Sequence, residues 1–411
     1  MPEFLQLDPP GQALARLLEH LPRHAPDVEQ VATAAALGRV VARAIQSPEA
    51  LPAFSRSTVD GYAVHARDTY GASETLPAYF TLVGESPMGR APDFVLASGQ
   101  AALIHTGGML PDGADAVVML EYSQPSRPGE IELLRAVAPG ENVLLAGEDV
   151  RVGEEVLPAG TLLRPAEIGG LMALGLTQVS VSRSPVVAVL STGDELVPPA
   201  QIPAAGQVRD INSYTLSALI QKHGGQPRRF DLVPDSAGAL RSALRTALDN
   251  SDLVVITAGS SASTRDLTAA VIAEMGEPGV LVHGVNVKPG KPTILAVCDG
   301  IPVIGLPGNP VSALVIAGLF VVPVLERLLG LPAGRPRPAL PARLSVNIPS
   351  QAGREDYVPV RLNPSDSGLA AEPVFYKSNL IFNLARADGL VCIPADATGL
   401  PAGAEVEVRL L

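Results

Sequence analysis

Residues 185–194, PVVAVLSTGD, decide how most of this sequence is interpreted. The first six residues form an unbroken apolar run, which is typical of a strand that is buried on both faces of a parallel sheet. The next four, Ser-Thr-Gly-Asp, are residues that favour a turn. The stretch therefore predicts a central strand that ends in a polar loop.

The residues after this strand alternate between helical and extended patterns. Helices are predicted for 213–223, 236–249, 267–275 and 311–329, and strands for 228–233, 253–256, 280–287, 293–297 and 302–305. Because the strands are continuously apolar, both faces of their sheet must be covered by helices. The pattern predicts a doubly wound α/β domain over residues 184–330.

Shorter and less regular patterns flank this domain. Helices are predicted for 11–20 and 27–44, and residues 51–139 show the short apolar runs, broken by Gly, Pro and Asp, of a β-rich domain. Residues 140–183 are rich in turns and end in a small helix near 167–174. The proline-rich segment 331–341 is interpreted as a linker, followed by a small C-terminal β domain at 342–411.

Composition limits the classes of function. The chain has 411 residues, enough for several domains, and 47% of them are apolar, which suffices for packed cores. Its net charge of −12 argues against non-specific binding to nucleic acid or to an anionic membrane. The N-terminal residues lack the pattern of a signal peptide, and the apolar stretch 311–325 is short for a membrane span and favours a buried helix. We expect a soluble, cytoplasmic protein.

The two cysteines, Cys298 and Cys392, are too few for a disulfide framework or a cysteine-based zinc site. One disulfide is compatible with the sequence. Two buried thiols in a reducing cytosol are the favoured interpretation.

Small-residue loops follow several predicted strands of the α/β domain. In an open α/β sheet, ligands bind beyond the carboxyl ends of the strands. Loops 257–264 and 306–312 each open a helix, and clustered backbone N–H groups at such positions can bind an oxyanion. Candidate binding residues in these loops, and in the loop after the first strand, are Thr192, Gly193, Ser260, Ser261, Pro307, Gly308, Asn309 and Pro310.

Charged side chains accompany these loops. Lys288 and Lys291 lie three residues apart in K-P-G-K-P and add positive charge. Hard carboxylate oxygens, which suit Mg²⁺, come from Asp194, Glu195, Asp235 and Asp266. This combination predicts a phosphate-bearing ligand that is bridged by a divalent cation.

Each feature also has a purely structural interpretation. A Gly-rich loop is often only a tight turn, acids at helix starts are often caps, and Pro-Gly between two lysines is typical of a surface turn. Loop 306–312 is harder to explain in this way, because Pro-Gly-Asn-Pro fixes an unusual backbone path before a buried helix. The functional interpretation is favoured because all these loops fall on the same predicted edge of one sheet.

Three further acidic segments lie outside the α/β domain, at 54–64, 105–118 and 147–150. Taken alone, they are typical of hairpin turns. Their spacing does not indicate whether they approach the α/β site or a neighbouring subunit.

Taken in order, these segments resemble the MoeA/gephyrin E-domain family, molybdopterin molybdenumtransferase. The matching stretches are S-x-x-D-G-Y-A-V (57–64), T-G-x-x-L-P-x-G-A-D-A-V-V (106–118), G-E-D-V (147–150), S-T-G-D-E-L (191–196), R-D-x-N-S (209–213), V-K-P-G-K-P (287–292), L-P-G-N-P-V-S (306–312), G-R-E-D-Y (353–357) and A-D-G-L-V-C-I-P…G-L-P-A-G (387–403). The resemblance runs nearly from end to end.

The resemblance implies a MogA-like molybdopterin-binding α/β domain within a four-domain chain. The domains implied are 1–50 with 140–183 as an N-terminal linking domain, 51–139, 184–330 and 342–411. It also implies an elongated homodimer with sites between subunits. The implied reaction converts adenylylated molybdopterin and molybdate into molybdenum cofactor and AMP, with Mg²⁺ or a similar cation. A molybdopterin adenylyltransferase is a further candidate partner, and no nucleic acid or membrane is expected.

The resemblance also implies roles for individual residues. The catalytic set is Asp60, Thr106, Asp149, Glu195, Asp235 and Asp266, of which Asp235 and Asp266 hold the metal. The substrate-binding set consists of the loop residues already named, Pro307 and Pro310 among them, together with Lys288, Lys291, Arg354 and Ser378. Arg354 and Ser378, from the C-terminal domain, are expected to act across the dimer.

The chain departs from the family pattern at two places. Residues 258–263, Ala-Gly-Ser-Ser-Ala-Ser, stand where members usually have Gly-Gly-x-Ser-x-Gly, and the loss of two glycines limits conformations with positive φ. As a hypothesis, the hydroxyls of Ser260, Ser261 and Ser263 replace the lost N–H contacts. Gly284 occupies a position where some members have lysine.

Other functions are compatible with the same residues. Arg265-Asp266-x-Thr268 is similar to the MogA pattern and favours a MogA-like molybdopterin adenylyltransferase. A non-catalytic scaffold and a pterin- or nucleotide-binding sensor are further alternatives. An intact set of acids with both lysines exceeds what a scaffold needs, so the sequence favours the molybdenum-inserting enzyme.

Overall fold

The computed structural model describes residues 7–22, 25–258, 262–366, 368–374 and 377–411, and for residues 262–266 it describes the backbone alone. The contacts divide the chain into two compact units. One comprises Met1–Gln30, Gly38–Ala42 and Ser180–Leu411, and the other comprises Val31–Leu37 and Arg43–Val179.

The elements before residue 183 are mostly short strands. They are α1 (Pro10–Glu19), β1 (Val28–Ala32), β2 (Ile45–Gln46), β3 (Arg56–Ser57), β4 (Gly61–Val64), β5 (Ala78–Glu85), β6 (Gln100–Ile104), β7 (Ala116–Met119), β8 (Ser123–Pro125), β9 (Glu130–Leu133), β10 (Val143–Leu144), β11 (Glu155–Leu157), α2 (Pro165–Ala173) and β12 (Gln178–Ser182). Six of them form one sheet in the order β7-β4-β6-β5-β9-β8. Val64, Phe80 and Val118 pack in its core, so the predicted β-rich lobe is confirmed.

The predicted helix over 27–44 is wrong. Residues 28–32 form β1, in which exposed and partly buried side chains alternate with a period of two. The β-branched Val28 and Val31 favour an extended backbone, and Gly38, with φ of +75°, interrupts any helix across this region. Apolar spacing alone could not separate the two periods in so short a segment.

The α/β part follows the predicted alternation. Its elements are β13 (Val186–Ser191), β14 (Leu196–Val197), β15 (Val208–Arg209), α3 (Asn212–Lys222), β16 (Gln226–Arg229), α4 (Ala237–Leu248), β17 (Leu253–Ala258), α5 (Ala262–Ala273), β18 (Pro278–His283), β19 (Val287–Lys288), β20 (Ile294–Cys298), β21 (Ile301–Pro307), α6 (Pro310–Ile316) and α7 (Val322–Leu328). The sheet order is β16-β13-β17-β21-β20-β18, parallel from β16 to β21 and antiparallel at the β20 pairings.

Both faces of this sheet are covered, as the continuous apolar strands predict. Along β13, Val187 and Val189 belong to one core cluster, and Ala188 and Leu190 belong to the other. Successive strand residues point to opposite faces, so an unbroken apolar strand contributes to two cores. The prediction of a doubly wound α/β domain is confirmed.

Two predicted strands of this domain end earlier than expected. The strand predicted for 228–233 ends at Arg229. The strand predicted for 280–287 ends at His283, because Gly284 has φ of +104° and turns the chain before β19.

The apolar segment Pro310–Leu328 consists of α6, a π-helical turn at Ala317–Val321, and α7. Among the described residues it is the one helix that is long and apolar enough to cross a membrane, and 61% of its most apolar 18-residue stretch is buried within the protein. Val311, Phe320 and Leu325 lie in the larger core cluster. As predicted, this is a core helix.

The two thiols differ in burial. Cys298 is buried, as expected, whereas Cys392 is partly exposed, and neither forms a disulfide.

The C-terminal strands close into a small barrel. The elements are β22 (Ala339–Leu344), β23 (Ile348–Pro349), β24 (Glu355–Ser365), β25 (Gly368–Pro373), α8 (Ile381–Ala385), β26 (Gly389–Ile393), β27 (Gly399–Leu400) and β28 (Glu405–Leu410). The order β24-β25-β22-β28-β26 returns to β24 through an additional pairing. β19 of the α/β part pairs with the start of β24, which joins the two domains.

Candidate active site

A cavity of about 680 Å³ lies between the loop that follows β21 and the start of the C-terminal barrel. Its basic side chains are Lys288, Lys291 and Arg354. Its other polar side chains include Asn286, Asn309, Ser312, Asp356 and Ser378, and its apolar wall includes Ile348, Pro349, Val358 and Val374. A concentration of positive charge in a chain of net charge −12 suits an anionic ligand.

The strand pairing between β19 and β24 places two of the cavity's charged groups side by side. Lys288 lies opposite Asp356 in the parallel register. The Glu355 N–H donates to the Asn286 carbonyl oxygen at 3.2 Å, which extends the pairing by one bond. The lysine loop is therefore anchored to the barrel by backbone hydrogen bonds.

Gly290, between the two lysines, is required by the local geometry. Its φ is +107°, and a Cβ at this position would lie 2.2 Å from the side chain of Ile316 in α6. Any other residue would clash with the core helix and strain the backbone. The turn between Lys288 and Lys291 is thus held close against α6.

Asp356 interacts with two basic side chains of the cavity. Its side chain is 4% exposed. Arg354 donates from Nε to Oδ1 at 2.8 Å and from Nη2 to Oδ2 at 3.5 Å. The Lys288 ammonium lies 3.7 Å from Oδ2, while the lysine side chain remains 60% exposed.

The loop after β21 is fixed by contacts with both domains. Asn309 donates from its amide to the Ser378 hydroxyl at 3.1 Å, and the Val311 N–H donates to the Ser378 carbonyl at 3.1 Å. Asn212 donates from its side chain to the Gly308 carbonyl at 2.8 Å. Pro310 occupies the first turn of α6, where its missing N–H costs no helical hydrogen bond.

A cluster of carboxylates lies beyond the end of β13. Asp194 accepts a hydrogen bond of 3.1 Å from the Asp235 N–H, and Thr192 pairs with Val233 in the adjacent loop. A Cβ on Gly193 would lie 2.7 Å from a Glu195 carboxylate oxygen, so glycine lets that carboxylate approach the backbone.

The environment of Asp235 suits a divalent cation. Burial raises the pKa of Asp235 above its usual range; the Thr192 hydroxyl opposes this shift, and the charges of Asp194 and Glu195 add to it. Oδ1 of Asp235 is buried and has no hydrogen-bond partner among the described residues. A hard oxygen in this state fits Mg²⁺, although no three His, Cys, Asp or Glu side chains within the described part of the chain converge on one metal position.

The carboxylate cluster and the lysine cavity lie along one edge of the sheet. β13, β17 and β21 are parallel, and Ser191, Thr257 and Leu306 lie level in the register. Two strand spacings, roughly 10 Å, therefore separate the loop after β13 from the loop after β21. The middle loop carries the predicted residues Ser260 and Ser261, which lie outside the described residues, as does the side chain of Asp266.

Asp60 and Thr106 come together in the β-rich unit. The Thr106 N–H donates to Asp60 Oδ1 at 2.7 Å, and the Thr106 hydroxyl donates to the same oxygen at 3.1 Å. These bonds, led by the backbone one, lower the pKa of Asp60. His105 lies between two carboxylates, with Nδ1 3.6 Å from Asp60 and Nε2 3.2 Å from Glu85.

Asp149 lines a separate open depression of about 610 Å³ in the same β-rich unit. Its neighbours there include Phe54, Arg56 and Glu148. The Asp149 N–H donates to the Leu51 carbonyl at 3.0 Å, which fixes the turn that carries the carboxylate.

The structure thus brings together several of the residues predicted from sequence and separates others. One cavity contains Lys288, Lys291, Pro307, Gly308, Asn309, Arg354 and Ser378, and one cluster contains Thr192, Gly193, Glu195 and Asp235. Asp60, Thr106 and Asp149 belong to the other unit. The functional roles of these residues remain predictions.

Sequence reasoning did not select Asp356, His105 or Glu85. Asp356 stands two residues after Arg354 in G-R-E-D-Y, a spacing that in an extended chain places both side chains on one face. This spacing was the signal that could have identified Asp356. Glu85 lies twenty residues from His105, and no local pattern connects them.

Comparisons with known proteins define the class of protein. The MoeA N-terminal region (domain I and II) matches residues 9–175, the probable molybdopterin binding domain matches 188–327, and the MoeA C-terminal region (domain IV) matches 341–411. A molybdopterin molybdenumtransferase of a Nostoc species is 35% identical, with 94% of this chain and 89% of that protein covered. One of Haemophilus influenzae is 34% identical, with 84% of each chain covered.

Solved structures agree with this similarity. A molybdopterin biosynthesis MoeA protein from Pyrococcus horikoshii superimposes with a TM-score of 0.86 at 32% identity, over 99% of this chain and 100% of that one. A second structure with this description, also from that organism, gives 0.81 at 39% identity, over 98% and 99%. The chain belongs to the MoeA family of molybdopterin molybdenumtransferases.

Proposed function

We propose that this protein inserts molybdenum into adenylylated molybdopterin and releases molybdenum cofactor and AMP. The observation that carries the proposal is the cavity in which Lys288, Lys291 and Arg354 meet in an otherwise acidic chain. Both substrates are oxyanions, and the relatives are named for transfer of molybdenum to molybdopterin.

The lysine cavity binds the tetrahedral metal oxyanion. The Arg354 guanidinium supplies a planar set of donors, and the two ammonium groups supply mobile point charges. The Ser378 hydroxyl, held by Asn309, adds a neutral donor. Together these groups neutralise a doubly charged anion and orient it toward the dithiolene sulfurs.

The carboxylate cluster binds the phosphate end of the pterin nucleotide through a cation. Asp235 and the predicted ligand Asp266 would hold Mg²⁺, which would supply positive charge to the pyrophosphate. Thr192 and the Gly193 backbone bind the phosphate end of the nucleotide beside Asp235. This position is at the carboxyl end of β13, where ligands of open α/β sheets bind. The roughly 10 Å between the two loops matches a substrate with its nucleotide and its pterin at opposite ends.

Asp60 supplies a carboxylate that remains ionised and open to solvent. Thr106 fixes its orientation through two hydrogen bonds. In this state it accepts the proton of a substrate thiol and passes it to the oxygen that molybdate loses as water when the sulfur takes its place. Asp149, in the same β-rich unit, is a further catalytic carboxylate.

The active assembly is a homodimer. Asp60 and Asp149 lie in one unit of the chain and the lysine cavity lies in the other, so a site completed by a second subunit explains why both sets of residues are present. The enzyme acts in the cytoplasm, and a molybdopterin adenylyltransferase supplies its substrate.

The direct test incubates the purified protein with adenylylated molybdopterin, Mg²⁺ and molybdate. We expect AMP release that depends on molybdate. If AMP is not released, but ATP is consumed when free molybdopterin is supplied, the protein is an adenylyltransferase. If neither reaction occurs, the scaffold alternative gains support.

A further inference from the structure

We propose that Asp356 is a positioning residue that holds Arg354 and Lys288 in the geometry that binds the oxyanion. The inference rests on the proposed function of the lysine cavity and adds to it a residue that carries the wrong charge for an anion. The basic residues of the cavity do not by themselves explain why a buried carboxylate lies among them.

The burial of Asp356 is the first argument. A carboxylate that is 4% exposed loses most of its hydration and remains charged only when it is paired and hydrogen-bonded. Its partners are two cations that the proposed reaction uses. Other sites in the barrel show what a simple surface pair looks like: Arg343 and Glu405 meet at 2.9 Å with side chains 56% and 78% exposed.

The geometry of the Arg354 contact is the second argument. Nε and Nη2 both donate to Asp356, at 2.8 and 3.5 Å, so one edge of the guanidinium is fixed. The opposite edge keeps donors that an anion can use. A free arginine loses rotamer entropy when it binds a ligand, and this fixation removes that cost in advance.

The register is the third argument. Lys288 and Asp356 are paired residues of β19 and β24, so the carboxylate lies where the α/β domain and the barrel join. The Lys288 ammonium lies 3.7 Å from Asp356 but is not enclosed by it, since the side chain is 60% exposed. Asp356 therefore orients the lysine and leaves its ammonium available.

The positioning role and a simple charge effect predict opposite results. Removal of a negative charge from an anion cavity should tighten anion binding if only charge matters. If Asp356 positions Arg354, its neutralisation should weaken binding, because the guanidinium must then be ordered by the ligand itself. We expect Asp356→Asn to raise the Kd for molybdate by about three- to tenfold, the cost of immobilising one long side chain.

The experiment measures molybdate binding to the full chain by isothermal titration calorimetry, with thermal unfolding recorded for each variant. Glu405→Gln, which breaks the exposed barrel pair, is the matched control and should leave the Kd unchanged. Asp356→Glu keeps the charge but shifts the carboxylate by one methylene, and it should also weaken binding. In an Arg354→Ala background, Asp356→Asn should weaken binding less than it does in the unaltered protein, because only the contact with Lys288 is then lost.

The outcomes separate this proposal from the proposed function. Unaltered protein that binds no molybdate overturns the oxyanion role of the cavity and this proposal with it. Molybdate binding that Asp356→Asn leaves unchanged or tightens overturns the positioning role alone. If Asp356→Asn unfolds, the Asp356→Glu variant decides: unchanged molybdate affinity in folded Asp356→Glu also overturns the positioning role alone.

Discussion

The side-chain amide of Asn309 donates a hydrogen bond of 3.1 Å to the hydroxyl of Ser378. Asn309 ends the loop after β21 of the α/β domain, and Ser378 lies in the C-terminal domain, sixty-nine residues later. The backbone bond from Val311 to Ser378 makes this a two-point contact. One wall of the cavity therefore depends on how the two domains meet.

Replacement of Asn309 by alanine tests this contact. The loss of one hydrogen bond, about 0.5–1.5 kcal/mol, should raise the KM for molybdate by about three- to tenfold. Steady-state AMP release at varied molybdate concentration measures this KM. Asn363→Ala is the control, because Asn363 makes a comparable bond of 3.0 Å to Glu372 on an exposed part of the barrel. Equal effects of the two variants would contradict a role for Asn309 in the cavity.

Lys288→Ala should weaken binding of molybdate by about ten- to a hundredfold, the range expected for one charge-assisted hydrogen bond. The lysine is largely exposed, so the fold should tolerate the change. Equilibrium binding of molybdate measures the loss. Lys222→Ala, at the exposed end of α3, should bind as the unaltered protein does. Unchanged affinity in Lys288→Ala would contradict the oxyanion-binding role of this lysine.

Asp60→Ala should abolish cofactor formation and leave the unfolding temperature close to that of the unaltered protein. The Asp60 side chain is 54% exposed, and exposed acids rarely contribute much to stability. Reconstitution of a molybdenum enzyme measures cofactor, and circular dichroism measures unfolding. Asp93→Ala, an exposed acid of the same unit, should retain full activity. Activity in Asp60→Ala would exclude an essential catalytic role.

Asp235→Asn should raise the unfolding temperature at neutral pH in the absence of divalent cations. Burial raises the pKa of Asp235, so the folded protein favours the protonated form. The carboxylate therefore destabilises the fold increasingly as the pH rises from the unfolded pKa through the folded one. Asparagine removes that effect. Differential scanning calorimetry at pH 4 and pH 7 should show a gain confined to the higher pH.

Magnesium adds a second readout to the same variant. The cation should stabilise the unaltered protein at pH 7 by mass action and should not stabilise Asp235→Asn. Asp231→Asn, an exposed acid four residues earlier, should respond to Mg²⁺ as the unaltered protein does. Stabilisation of Asp235→Asn by Mg²⁺ would place the metal elsewhere.

Mixed dimers test whether the site lies between subunits. Asp60→Ala and Lys288→Ala chains are unfolded together and refolded, and the assay uses a molybdate concentration at which Lys288→Ala alone shows little activity. A site shared between subunits restores one complete site per mixed dimer, so about a quarter of the activity should return with random pairing. If each chain forms its own site, the mixture should show no more activity than the separate chains. The AMP assay measures the outcome.

The sequence predicted most of the α/β fold because its strands are continuously apolar. Val187 to Leu190 are buried, and a sheet covered by helices on both faces buries every residue of such a strand. Segment 27–44 was predicted wrongly because it contributes few buried side chains, and Gly38 and two β-branched residues outweighed its apolar spacing. In a segment that buries few side chains, the apolar pattern constrains the structure only weakly.

The candidate site, too, was predicted from the sequence only in part. Lys288, Lys291 and Arg354 were identified one by one, from motifs whose residues are close in sequence. Asp356 was not selected, although it contacts two of them, because a buried acid among cations becomes apparent only from the β19–β24 register.

The sequence by itself determined the order of strands and helices, the family, and the loops that can carry charge, since these depend on local periodicity and on short motifs. The tertiary structure decided which charges meet. Parallel register brings the ends of β13 and β21 to one edge, and the pairing of β19 with β24 sets Lys288 beside Asp356. Those contacts join residues far apart in the chain, and their energies depend on distance and burial, which no local pattern contains.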